Sequence, residues 1–142
     1  MRAWHWGLIV ETLLAYALPA YFWFWGALTV PVWILGVSMG DRAATLDLAS
    51  VVGGLLGAIG MITALKQLIS DRPPSTSKLI SITTLNLCGL LALWTMMTSH
   101  FVGFEVNWFI LIAGIVPTAC TVHLLALCWR LRSHGRDDRQ HE

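Results

Sequence analysis

Charge is what this sequence has least of. Asp, Glu, Lys and Arg supply 12% of its 142 residues, against 56% apolar residues. A soluble domain of this size needs more charge than that to cover its surface, so lipid is the expected solvent for most of the chain. Cysteine is also sparse: Cys88, Cys120 and Cys128 fall within apolar runs and form no CxxC, which excludes a disulfide scaffold and a thiol redox pair. No HExxH or compact His/Cys/Asp grouping occurs, so neither a metal centre nor a cofactor is expected. His5, His100, His134 and His141 are scattered over interfaces and tail, and His123 has no second histidine at similar depth, which disfavours a bis-histidine haem unless another subunit supplies a ligand. Long basic runs are missing too. The tail RLRSHGRDDRQHE is basic first and mixed afterwards, which suits anionic headgroups rather than nucleic acid.

What is present is a series of long apolar runs, and they predict an all-α integral membrane protein: a compact bundle of four transmembrane helices. The expected spans are about 4–25, 46–69, 79–98 and 108–129, forming a single domain over 1–129 with a short polar tail over 130–142. Each span is about 20 residues or slightly more, enough at 1.5 Å per residue to cross roughly 30 Å of hydrocarbon. Met1-Arg2 is followed by an apolar run with no cleavable border, so the first span reads as a retained helix. After it, residues 26–39 remain apolar. Their length suits a short interfacial or re-entrant segment, or an extension of a long tilted first helix, better than a fifth span. Pro19 and Pro31 are positions where a helix could bend, and Pro73-Pro74 should break the chain between two antiparallel neighbours.

Charge also orients the spans. With the N-terminus inside, Arg2, Lys66, Arg72, Lys78, Arg130, Arg132, Arg136 and Arg139 are cytoplasmic and only Arg42 lies outside. The expected placement is a cell inner membrane, multi-pass, with both termini cytoplasmic. The external loops are then 40–47 and 99–107. Tryptophan fits the same scheme: Trp4, Trp6 and Trp129 fall at the inner interface and Trp23, Trp25, Trp94 and Trp108 toward the outer one, with Trp33 unassigned.

Two features bear on function. The second span carries Ala49, Gly53, Gly57 and Ala64 as a helix-packing face, with Ser50, Gly54 and Gly60 beside it, which lets its backbone come close to another helix and makes it the central packing helix. Gly36 and Gly40 repeat the spacing, although Gly40 also suits a helix end. The second feature is polar: Glu11, Lys66, Asn86 and His123 come from four different spans at comparable depth and form a candidate intramembrane layer. Such a layer carries a proton, binds a polar substrate, or specifies packing through hydrogen bonds.

The segment WGLIVETLL, with Glu11 early in the first of four spans, superficially resembles the small multidrug resistance exporters, whose dimers use such a carboxylate in proton-coupled export. The resemblance covers no more than the first span. The long apolar stretch through Met39, the charged tail and the charge asymmetry depart from that pattern. The leading expectation is therefore a non-enzymatic accessory, scaffolding or inhibitory subunit of a larger inner-membrane complex, embedded in the lipid bilayer beside another integral membrane protein. The alternative is a small homo-oligomeric proton-coupled transporter that uses Glu11.

Overall fold

Backbone amides in hydrocarbon must bond within their own segment, and this chain satisfies that requirement with four helices. The computed structural model describes residues 3–70, 72–101 and 108–137. Within them run α1 (Ala3–Ser38), α2 (Arg42–Ile69), α3 (Thr76–Phe101) and α4 (Trp108–Asp137). All four contain stretches long and apolar enough to cross a membrane. The protein is a multi-span, all-helical membrane protein.

Residues 26–38 do not form a separate segment. They continue α1, which runs unbroken through Pro19 and Pro31 for 36 residues. Each proline removes one amide donor, yet a long apolar helix keeps the bonds on either side and tolerates the gap. At 1.5 Å per residue α1 is about 54 Å long, more than the roughly 40–45 Å of a whole bilayer, so it tilts strongly or projects from the headgroups.

The turn into α2 is far tighter than an eight-residue loop. Gly40 adopts φ +80°, a left-handed conformation that costs little only for glycine. The amide of Gly40 donates to Val37 O at 3.0 Å and that of Asp41 to Gly36 O at 3.0 Å, closing the end of α1 in a Schellman pattern. Asp41 then caps α2, its Oδ1 accepting from the Ala43 amide at 2.8 Å. One three-residue link thus ends one helix and starts the next, so α1 and α2 leave it as an antiparallel pair. Gly36 lets them meet at once: a Cβ there would lie 2.6 Å from Ala44 Cβ.

The helix pair α2–α3 forms the most extensive interface, and α2 touches all three other helices. Its contact with α3 is made by backbone. A Cβ on Gly57 would come within 2.6 Å of Gly89 Cα, one on Gly53 within 2.6 Å of Ala92 Cβ, and one on Gly60 within 2.9 Å of the Asn86 amide. Larger side chains fill the end of the bundle nearer the termini, where Leu8, Leu68, Leu79, Ile82, Leu124 and Cys128 are buried together. The linker around Pro73-Pro74 is non-helical as its prolines require, and α4 continues helically past Arg130 into the segment read as a tail. Residues 102–107 of the second external loop lie outside the described residues.

Close backbone approach makes a sharp prediction. Gly57→Val should destabilise the detergent-solubilised bundle by about 3 kcal/mol through overpacking, whereas Gly7→Ala, which meets nothing within 4 Å, should leave it unchanged or slightly firmer. Reversible denaturation of both variants checks this; equal stabilities would remove the glycine contact from the account.

Candidate functional site

Of the four polar residues expected in one layer, two meet. Glu11 of α1 and His123 of α4 face each other with Oε1 and Nδ1 2.9 Å apart. His123 lies seven residues before Arg130, about 10 Å along the helix, so the pair sits well inside the span. One side chain donates to the other across this contact, and the hydrogen bond lowers the cost of holding two polar groups at membrane depth. The pair is not sealed. The Glu11 side chain is 39% exposed and that of His123 49%, so it occupies an open flank between α1 and α4.

The other two residues point elsewhere. Asn86 is buried at the α2–α3 contact, where its side-chain amide donates to Ile82 O at 2.8 Å. Lys66 is exposed in the last turn of α2, where its charge favours the carbonyl end of the helix dipole. The expected packing face divides as well: Gly53 and Gly57 meet α3 and Ala64 is fully buried, but Ala49 is exposed.

A hydroxyl contact between α1 and α4 has no counterpart in the expected layer. Tyr16 of α1 and Thr121 of α4 hydrogen-bond through their hydroxyls. Thr121 also donates back to Pro117 O at 2.8 Å, and Thr12 to Leu8 O at 2.7 Å. The signal was present as spacing: His5, Leu8, Thr12 and Ala15 recur at three and four residues and are the buried positions of this part of α1. Trp23 and Trp94 also serve the bundle rather than the headgroup boundary alone. Trp23 Nε1 donates to Val51 O at 2.8 Å with its ring against Gly54, and Trp94 Nε1 donates to Thr118 Oγ1 at 3.2 Å.

Among the described residues, no three His, Cys, Asp or Glu side chains converge as metal ligands would. The fold and the paired groups define a class, a small polytopic helical membrane protein with an acid–imidazole contact on its flank. Comparison with known protein families, curated protein sequences and solved structures returns no match.

If Glu11 and His123 stabilise each other, removing one should be worse than removing both. Glu11→Leu and His123→Leu should each destabilise the bundle, and the double variant should recover about 1 kcal/mol in a double-mutant cycle. Strict additivity would show that the 2.9 Å contact contributes nothing to folding.

Proposed function

We propose that this chain is a non-enzymatic accessory or inhibitory subunit of a larger inner-membrane complex, acting by helix packing within the bilayer. The observation that carries this reading is the exposure of the Glu11–His123 pair on an open flank of the bundle. Polar groups facing hydrocarbon are costly, and a neighbouring polypeptide that covers them removes the cost. The surrounding surface suits a helix. Ala119 and Ala126 are exposed on the same side of α4 as His123, one turn before and one after, so a second backbone can approach closely there. Across the groove, α1 contributes Val10 and Leu14, both largely exposed. Short connections among the described residues leave little chain for a separate soluble activity, which favours a packing role over catalysis. The cation distribution supports insertion with both termini in the cytoplasm.

Gentle extraction from the native membrane followed by native mass spectrometry tests the reading. A stoichiometric second polypeptide is expected, and Ala119→Leu should reduce its recovery without unfolding the chain, because residue 119 is exposed. An oligomer of this chain alone, unaffected by that substitution, would overturn the subunit assignment.

The contact between a carboxyl group and an imidazole inside the span favours one second reading, a small homo-oligomeric proton-coupled transporter. Glu11→Gln separates the two. It should abolish flux with assembly intact if the carboxylate carries protons, and alter partner recovery or abundance first if it is a docking group.

A further inference from the structure

A groove of about 220 Å³ between α1, α2 and α3 lies apart from the Glu11–His123 flank. Tyr16, Met61 and Asn86 line its inner end, and Trp23, Ser50 and Met96 its outer end. From Asn86 to Met96 it extends about 15 Å along α3. Gly54, Gly57 and Gly89 also line it, and having no side chains they leave the space between the helices open. None of the lining side chains carries a formal charge, so the groove suits neither an anion nor a cation.

Its polar atoms are mostly committed. Trp23 Nε1 donates to Val51 O at 2.8 Å, and the Tyr16 hydroxyl bonds with Thr121. A serine hydroxyl such as that of Ser50 can rotate to a carbonyl of its own helix. Asn86 differs from all three. It is only 3% exposed, and its Nδ2 donates to Ile82 O at 2.8 Å, which pins the carboxamide, yet its Oδ1 accepts from no described residue. That oxygen retains accessible surface and opens on the groove. Asn86 lies eight residues past Lys78, about 12 Å into the span, where an unmet carbonyl oxygen is costly until a donor reaches it. Water suits the place poorly, because a buried water needs about two to four polar partners and the walls are apolar. A hydroxyl carried on a hydrocarbon chain needs a single acceptor and brings its own apolar surface. The groove is smaller than the roughly 300–1,000 Å³ of ordinary ligand pockets, which limits it to one chain.

We propose that α1, α2 and α3 form a binding site for an uncharged single-chain lipid ending in a hydroxyl, whose O–H donates to Asn86 Oδ1 and whose chain runs outward past Gly89 and Leu93 toward Trp23 and Met96. This site involves a different set of helices from the α1–α4 flank and stands whether or not a partner subunit covers the Glu11–His123 pair.

The test uses the full chain in phosphatidylcholine nanodiscs, photolabelled with decan-1-ol carrying a diazirine in mid-chain. Labelling should saturate and fall on the groove walls at Ala20, Leu93 and Met96. Unlabelled decan-1-ol should displace the probe. Its methyl ether keeps the oxygen but cannot donate, and at equal concentration in the bilayer it should compete about fivefold less well, as the loss of one intramembrane hydrogen bond implies. Asn86→Leu should bring the alcohol down to the level of the ether. Ala20→Phe, at an exposed position on the groove wall, should weaken both compounds to the same extent. Equal competition by alcohol and ether in the unaltered chain would overturn the proposal, as would a retained preference for the alcohol in folded Asn86→Leu protein or unchanged labelling in Ala20→Phe. Labelling that never saturates would also overturn it, since the groove would then hold only the chains of the surrounding bilayer.

Discussion

Helices surrounded by lipid gain little from merely hiding apolar side chains, because the hydrocarbon is as apolar as they are. What brings α2 and α3 together is the approach of one backbone to another at Gly57 and Gly89, where neither residue has a side chain to hold them apart. Dispersion and Cα–H contacts strengthen steeply at such separations. The same choice of residue has a cost elsewhere. A helix whose contact face is glycine has nothing to send into the space on either side, so the groove between α1 and α3 remains unfilled above Gly54, Gly57 and Gly89. Tight packing on one face and an open cavity beside it share a cause.

The two ends of the bundle are consequently built differently. Near the termini, Leu68, Leu79, Ile82 and Leu124 interlock from three helices in an ordinary side-chain core. Toward the α1–α2 turn, the contacts are small residues, the Trp23 bond to Val51 and the capped link at Gly40 and Asp41. The first arrangement resists opening because many side chains must separate together. The second relies on a few directional contacts, so fewer interactions must be broken to open it.

Much of the architecture was legible because hydropathy measures length directly: four spans, the break at Pro73-Pro74 and the antiparallel neighbours all follow from runs of apolar residues and turn formers. The extent of α1 was not. Trp23, Trp25 and the length of one crossing suggested a boundary, with a longer helix as one alternative, and Pro31 marked a possible bend; a proline ends a helix only when the lost bond has a better alternative, and inside lipid it does not. The polar layer shows a different limit. Counting from the charged ends gives the depth of Glu11, Lys66, Asn86 and His123, but not the rotation of each helix, and a residue can share a depth while facing away. Asn86 turns to the α2–α3 contact and Lys66 outward, leaving one pair. For Ala49 the same argument applies along the helix, since it lies one turn before Gly53 and is exposed.

The exposed pair and the charge pattern together constrain any assembly. Eight of the nine lysines and arginines fall on one side of the four-span scheme, so copies inserted by the same rule share one orientation. A two-fold axis relating such copies must run along the membrane normal, and it brings the same flank of each to the same depth. At the α1–α4 flank, two Glu11–His123 pairs would then meet and form a four-group cluster able to exchange protons across the interface. A different partner needs to supply only the polar atoms that one pair leaves unmet, and its helix can sit anywhere along the small residues beside His123. A two-fold transporter would therefore bring four polar groups to one depth, whereas a subunit brings two to a complementary neighbour, and that difference lies in the geometry of the flank itself.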